Sequence, residues 1–276
     1  MSIHSKYQPD IDEILSHRHD LGADFWTTPD NRLIKGSPFS AYDCAHMLLD
    51  LGMELSHPIL KTLSDMFFST WRQDGRFKVY PRGGILPCQT AYILSLLCRM
   101  GHQADERIQK SFQYFLSTTY TDGGWRCNKF SYGRGPETEY SNPLPTLNVL
   151  DAFRFSDYLN TEPALDKAVE FLLQHWVIKK PIGPCQYGIG TRFMQVEYPL
   201  TGYCLFHYVY VLSFYDKAKN DARFFAAFKA LQDKLVDGRL VVERISPKLA
   251  KLAFCKKGQP SEVITMRYNK ILENMT

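Results

Sequence analysis

The chain of 276 residues lacks the long apolar segments of membrane and secreted proteins. No apolar run approaches the roughly 18 residues that a membrane-spanning helix needs. The first 25 residues carry Asp10, Asp12 and Glu13 together with three histidines, where a secretion signal would have an apolar core. These absences predict a cytoplasmic protein.

Cysteine pairs at metal-binding spacing and a strong charge of one sign are also missing. The seven cysteines include no Cys-x-x-Cys pair, which predicts reduced thiols and argues against a zinc ribbon. The net charge of +4 is spread along the chain, which argues against nucleic-acid binding. The locally basic residues 248–257 form either a solvated face or a contact with phosphate or a membrane surface. No cofactor is expected.

Apolar and aromatic residues are abundant, at 45% and 14% of the chain, which is enough for the core of one large domain. A short turn then recurs three times, in which Asp-Gly is followed two residues later by a large apolar side chain. Glycine allows the positive φ of a tight turn, and the apolar residue can be buried just after it. The three copies are Asp74-Gly75-Arg76-Phe77, Asp122-Gly123-Gly124-Trp125 and Asp237-Gly238-Arg239-Leu240.

Apolar residues at helical spacing predict a chain of paired helices. The helix-ending residues Gly52 and Gly101 lie 49 positions apart, and Asp74 and Asp122 lie 48 apart. A helix, a glycine stop, a second helix and an Asp-Gly turn at this period form an αα-hairpin repeat. The predicted helices cover residues 8–20, 41–51, 58–71, 90–100, 106–119, 146–158, 164–176, 202–215, 222–235, 249–254 and 261–272.

We therefore predict an all-α fold with a single domain over residues 1–276. Residues 1–39 form an N-terminal arm and helix, residues 40–240 form the helical hairpins, and residues 241–276 close the structure. About five hairpins are expected from the repeat. The sequence shows no linker, charge block or low-complexity segment that would divide the chain.

The repeat resembles the prenyltransferase and squalene oxidase (squalene cyclase) repeat family, whose fold is an α/α toroid. The resemblance is carried by Asp122-Gly123-Gly124-Trp125, by the helix start Cys88-Gln89-Thr90-Ala91 and by Gly101, and it covers roughly residues 40–240. It implies either an enzyme that handles an isoprenoid in an aromatic-lined central cavity, or a non-catalytic toroid that binds an apolar small molecule or a partner protein. Because one toroid serves all of these functions, the resemblance predicts the fold and leaves the function open.

Candidate catalytic residues lie in Tyr42-Asp43-Cys44-Ala45-His46, which resembles the Asp-Cys-Thr-Ala acid of oxidosqualene cyclases. That resemblance implies that Asp43 is the acid, that Cys44 donates to it and that His46 raises its acidity from one turn away. The Asp-x-Asp-Asp motif of squalene–hopene cyclases is absent. In the repeat register Asp43 falls about three residues too late, so a polar residue near a helix N-terminus is the alternative.

A zinc site of the protein prenyltransferase type needs Asp, Cys and His ligands. Asp43 and His46 could combine with Cys88 or His207, whereas Cys44 points about 100° away from Asp43 around the helix. We expect no metal.

The expected ligand is an apolar, isoprenoid-like small molecule held by aromatic contacts, with ordinary core packing of the same side chains as the alternative. A further alternative is a saccharide hydrolase or lyase that uses Glu137 and Glu139, although alternating carboxylates in a loop can equally form a solvated edge. The candidate ligand-binding residues are Tyr42, Cys88, Tyr92, Tyr187, Tyr203 and His207.

Overall fold

The computed structural model describes residues 6–276, and this part of the chain is mostly helical. Residues 1–5 of the predicted N-terminal arm lie outside the described residues. The all-α class is confirmed. In chain order, the helices of the described part are α1 (Gln8–Ser16), α2 (Ala41–Asp50), α3 (Pro58–Ser69), α4 (Pro87–Arg99), α5 (Glu106–Ser117), α6 (Pro143–Phe153), α7 (Pro163–Ile178), α8 (Leu205–Leu212), α9 (Asp216–Lys219), α10 (Ala222–Gln232) and α11 (Glu262–Met275).

Short strands and 3₁₀ turns complete the described part. Strand β1 (Glu197–Tyr198) pairs in parallel with β4 (Arg244–Ile245), and β2 (Leu235–Val236) pairs antiparallel with β3 (Arg239–Leu240). The 3₁₀ turns cover Pro136–Glu139, Pro247–Leu249 and Ala253–Cys255. Within residues 6–276, no helix combines the length and the apolar character that crossing a membrane requires.

Proline explains why two helices begin earlier than the apolar pattern predicts. Helices α4 and α6 start at Pro87 and Pro143, one turn before the predicted starts at residues 90 and 146. Proline suits the first helical position because its fixed φ is already helical and that position needs no N–H. The predicted end of the third hairpin's first helix at residue 158 was wrong, because α6 ends at Phe153.

The predicted α-helix over residues 249–254 was also wrong. Two 3₁₀ turns occupy this region, and the carboxylate of the buried Asp10 accepts the backbone N–H groups of Ala253 and Phe254, both at 2.9 Å. The chain bends so that these donors reach Asp10 instead of continuing a helical hydrogen-bond ladder. This contact ties α1 to the C-terminal segment.

The three Asp-Gly turns make the same contact with the helix that follows each of them. The backbone N–H of the large apolar residue in each turn donates to a threonine hydroxyl on the next helix. Each turn is therefore fixed to the start of the following helix, as equivalent repeats require. The contacts are Phe77 to Thr90 at 3.2 Å, Trp125 to Thr146 at 3.0 Å and Leu240 to Thr265 at 3.2 Å.

The second turn is the most extensively bonded of the three. The indole Nε1 of the buried Trp125 donates to the Phe115 carbonyl at 3.0 Å, at the end of α5. The carboxylate of Asp122 accepts from the backbone N–H and the hydroxyl of Ser141, at 2.7 and 2.6 Å, just before α6. The turn therefore joins α5 to α6 through hydrogen bonds at both ends.

Gly123→Ala is expected to destabilise the protein by about 2 kcal/mol or more. Gly123 has a φ of +92°, and a Cβ there would lie 2.7 Å from the backbone carbonyl carbon and oxygen of Lys167 in α7. Gly238 is the matched control, since it also follows Asp in a turn, has a φ of +73° and has open space around its Cβ position. Gly238→Ala should cost only about 1 kcal/mol. Equal losses in urea unfolding would show that Gly123 does not pack against α7.

Candidate functional site

Five helices, α2, α4, α6, α8 and α11, meet around one small cavity of about 20 Å³. Its wall is mostly polar and charged, and it includes His46, Asn148, Asp151 and His207. A cavity needs about 10–15 Å³ to hold one water-sized group. This cavity therefore admits a group of one or two polar atoms.

The polar side chains recur every three or four residues along the helices that surround this cavity. Residues at this spacing lie on one face of a helix. Tyrosines come first along α2 and α4, neutral polar residues follow one turn later, and charged residues stand at the helix ends. The series are Tyr42, His46 and Asp50 on α2; Tyr92, Ser95 and Arg99 on α4; Asn148, Asp151 and Arg154 along α6 and its end; and His207 and Tyr210 on α8.

The charged residues form an ionic cluster of Asp50, Arg99, Asp151, Arg154 and Arg267. The carboxylate of Asp50 accepts from Arg99 Nη2 at 2.5 Å, from Arg267 and from the Tyr198 hydroxyl at 2.8 Å. Burial alone raises the pKa of Asp50. The charges of Arg267 and Arg99 outweigh burial and set this pKa at about 2.

Asp151 is the second carboxylate of the ionic cluster. It accepts from Arg154 Nε at 2.7 Å and from the Ser95 hydroxyl. Burial raises its pKa, but the positive charge of Arg154 outweighs burial and holds that pKa well below its usual range. Three guanidinium groups face two carboxylates, so the cluster carries a net charge of 3 − 2 = +1 and favours an anionic or electron-rich group.

His46 lines the cavity and carries an unpartnered hydrogen-bond donor. Its Nδ1 lies 3.0 Å from Arg99 Nη1, and a guanidinium can only donate, so Nδ1 is the acceptor. Burial and then the charge of Arg99 lower the pKa of His46 to about 3, so the ring is neutral and carries its proton on Nε2. Within residues 6–276 this buried Nε2 has no hydrogen-bond partner.

His207 lines the same cavity and carries an unpartnered acceptor. Its Nδ1 lies 2.6 Å from the Leu200 carbonyl oxygen, which can only accept, so Nδ1 carries the proton. Burial lowers the pKa of His207, which leaves Nε2 of the neutral ring with a free lone pair. Among the described residues neither this Nε2 nor the buried Nδ2 of Asn148 has a partner.

An unpartnered buried polar atom typically costs about 1–3 kcal/mol. Three of them, on His46, Asn148 and His207, belong to side chains around one cavity. A larger surface recess of about 640 Å³ includes a single such atom, Oδ1 of Asn160. The small cavity is therefore the stronger candidate for recognition of a polar group.

A tyrosine cluster, formed by Tyr42, Tyr92, Tyr187 and Tyr203 together with Cys88, adjoins the cavity. The Tyr42 and Tyr92 ring centroids are 5.6 Å apart, and those of Tyr187 and Tyr203 are 5.8 Å apart. Burial raises the pKa of Tyr92 well above its usual range, and its neighbours Tyr187 and Cys88 add to this effect. Tyr42 links the cluster to the cavity, since its ring lies 4.6 Å from that of His46.

The structure thus brings five of the six predicted ligand-binding residues into one cluster and places the sixth, His207, at the adjoining cavity. Tyr92, Tyr187, Tyr203 and Cys88 are partly exposed, so the cluster can be reached from solvent. Aromatic rings with a polar recess beneath them suit a ligand that has an apolar body and a small polar end.

Of the three predicted catalytic residues, only His46 lies at the cavity. Asp43 accepts from the Ser40 hydroxyl at 2.6 Å, and the Asp43 backbone N–H donates to that hydroxyl at 3.2 Å, a reciprocal cap at the start of α2. Burial raises the pKa of Asp43, against the lowering effect of the bond from Ser40. Burial also raises the pKa of the Cys44 thiol, which keeps it protonated. Catalytic roles for Asp43 and Cys44 stay predictions.

The other candidate sites involve metal ligands and loop carboxylates. No group of three or more His, Cys, Asp or Glu residues in the described part of the chain is placed to hold a metal ion. Glu139 is 72% exposed and lies 3.9 Å from Arg126, whereas Glu137 accepts from the Gly135 backbone N–H at 3.3 Å. Neither glutamate lines the cavity.

Comparison with known proteins assigns no family to this chain. No protein-family model matches the sequence, and no curated protein matches it significantly. Its function is therefore inferred from the site itself.

Proposed function

We propose that this protein is an α/α toroid that binds a small amphipathic ligand. The three equivalent turn-to-helix contacts and the five helices around one cavity support the toroid. The observation that carries the binding function is the set of three unpartnered polar atoms, on His46, Asn148 and His207, beside a partly exposed tyrosine cluster. In this proposal the apolar body of the ligand contacts the tyrosines and its polar end enters the cavity.

The size of the cavity limits what the polar end can be. Pockets that enclose a drug-sized ligand occupy about 300–1,000 Å³. At about 20 Å³, this cavity takes only a head group, and the rest of the ligand must lie against the tyrosine rings. An isoprenoid chain suits those rings because its flat unsaturated units can pack on aromatic faces.

Binding is favoured over the cyclase and hydrolase alternatives. An acid that protonates an alkene must reach its substrate within a dry pocket. Asp43 is instead bonded to Ser40 at the start of α2 and does not line the cavity. The exposed side chain of Glu139 gives no support to a carboxylate pair acting on a saccharide.

Alanine substitution of Tyr92 or Tyr187 is expected to weaken the binding of geraniol, used as a small isoprenoid probe, by tenfold or more. Each ring contributes apolar and aromatic contact that an isoprenoid body can use, and the loss of about 1.4 kcal/mol is a tenfold change. Binding is measured by calorimetric titration of the full chain. Tyr158→Ala is the matched control, because Tyr158 is 63% exposed and lies outside the tyrosine cluster.

Geraniol affinity within twofold of the unmodified protein in both variants would overturn the proposed binding mode. Native mass spectrometry of the purified protein, followed by lipid extraction, provides an independent test. A co-purified amphipathic molecule that is released by the Tyr92 and Tyr187 variants but retained by the Tyr158 variant is the expected result.

A further inference from the structure

The polar atoms at the cavity specify the chemistry of the ligand's head group. His46 Nε2–H and Asn148 Nδ2–H₂ are hydrogen-bond donors. The Nε2 atom of His207 carries a lone pair, and it becomes a donor when it gains a proton. The adjoining ionic cluster carries a net charge of +1. A head group with two acceptor oxygens and one negative charge would match all three side chains.

We propose that the head group is a single carboxylate that accepts from His46 and Asn148 and shares a proton with His207. This inference rests on the proposed function, since the apolar body of the same ligand lies at the tyrosine cluster. A carboxylate presents two oxygens, which agrees with a cavity of about 20 Å³. A diphosphate has too many oxygens for this volume and too much negative charge for a cluster with one net positive charge.

Binding of the carboxylate must be coupled to the uptake of one proton by His207. The lone pair of neutral His207 Nε2 would repel a carboxylate oxygen, whereas an imidazolium N–H donates to it. The charged groups around His207 are Asp151 and Arg154 from α6, Arg267 from α11 and Arg99 from α4, and neutral His46 lies on α2. The bound carboxylate adds the negative charge that stabilises the imidazolium, so the anion and a solvent proton enter together and no bond within the ligand breaks.

An alcohol should bind more weakly than the acid. A hydroxyl can donate to His207 Nε2 and accept from the two protein donors, but it carries no charge to complement the net positive charge of the ionic cluster. Hydrogen bonds to a charged group contribute more than those between neutral groups, so the uncharged head group corresponds to roughly a tenfold loss of affinity. Geranic acid and geraniol form a matched pair of probes, because they share the apolar body and differ in the head group.

The test is calorimetric titration of the full chain with both probes and with geranyl diphosphate, at pH 7.5 in two buffers of different ionisation enthalpy. We expect geranic acid to bind at least tenfold more tightly than geraniol and geranyl diphosphate, with the uptake of about one proton per acid bound. His207→Asn keeps a donor for the Leu200 carbonyl and removes Nε2. In this variant the acid-to-alcohol ratio should fall below threefold and the proton uptake should disappear.

The outcomes separate this inference from the proposed function. The carboxylate head group would be overturned if geraniol or the diphosphate bound as tightly as the acid, or if the acid bound without proton uptake. Either result would leave the proposed ligand binding at the tyrosine cluster intact. If none of the probes binds, or if their binding is indifferent to Tyr92→Ala, the proposed function itself fails. The proton-uptake measurement uses the unmodified protein, so it decides the question even if the His207 variant does not fold.

Discussion

Asp50→Ala is expected to destabilise the fold by about 3–5 kcal/mol, the usual loss when one partner of a buried ion pair is removed. The substitution leaves Arg99 and Arg267 inside the protein without their shared carboxylate, and it removes the acceptor of the Tyr198 hydroxyl. Urea unfolding measures the loss. The side chain of Asp50 is only 4% exposed, so solvent can replace little of what is lost.

The matched control is Asp233→Ala, which breaks an exposed ion pair. Lys229 and Asp233 lie one turn apart on α10 and just after it, with side chains that are 70% and 60% exposed. Such a pair contributes about 0.5 kcal/mol or less. Losses of similar size for Asp50 and Asp233 would contradict a buried ionic cluster among α2, α4, α6 and α11.

Asp50 also makes the stability of the folded protein depend on pH in the strongly acidic range. Its pKa of about 2 in the folded protein is below the ordinary value of about 3.9 for an unfolded chain. The stabilisation is therefore complete above about pH 4 and is lost as the pH falls toward 2. The Asp50→Ala variant should show a smaller loss of stability than the unmodified protein across that interval.

Acidification from pH 6.5 to pH 4 is expected to destabilise the protein by up to about 3 kcal/mol per pH unit through His46 and His175. Three histidines, His46, His175 and His207, are buried with lowered pKa values, of which those of His46 and His175 are about 3 and about 4, and burial is the main cause for all three. The unfolded chain takes up protons in this range that the folded protein excludes at His46 and His175, and His207 adds to the effect in the same direction. This stability is fully present above the unfolded pKa of about 6.5 and is lost as the pH falls.

Chemical unfolding at a series of pH values checks this slope. His46→Leu should reduce the slope by up to about 1.4 kcal/mol per pH unit, since it removes one proton-linked group. His19→Gln is the control and should leave the slope unchanged, because the His19 side chain is 74% exposed. A flat stability profile between pH 6.5 and 5 would mean that these histidines are protonated in the folded state.

Most of the helices could be predicted because they depend on local signals. Apolar residues at helical spacing indicated where the helices lie. The glycine stops and the Asp-Gly turns indicated how helices and turns alternate along the chain. The three threonines whose hydroxyls accept hydrogen bonds from the turns were not predicted as a set. They lie 13, 21 and 25 residues beyond the turns, and the varying loop lengths hide their equivalence.

The candidate site was only half predictable for a related physical reason. Tyr92, Tyr187 and Tyr203 were among the predicted ligand-binding residues, whereas the partners of Asp50 come from positions 99, 198 and 267, up to 217 residues away. Only the folded chain shows that these groups meet. One signal was available, because Tyr42, His46 and Asp50 occupy successive turns of one face of α2.

Asp43 illustrates the opposite problem, a residue selected because its neighbours resemble a catalytic motif. Ser40 stands three residues before Asp43, which is the spacing of a capping box at a helix start. That local pattern accounts for the Asp43 carboxylate without a catalytic role. His46, one turn later, is the member of the motif that lines the cavity, and its Nε2 has no hydrogen-bond partner.

The most direct test of the binding site is nitrogen NMR of the imidazole rings in protein labelled with ¹⁵N-histidine, followed through a titration with geranic acid. Before ligand is added, His46 should carry its proton on Nε2 and His207 on Nδ1, both neutral at pH 7. On binding, the His207 signals should move to those of an imidazolium and the His46 Nε2 signal should shift, while exposed His19 stays unchanged. Saturable binding that leaves both His46 and His207 unperturbed would place the ligand elsewhere and contradict a site between the five helices.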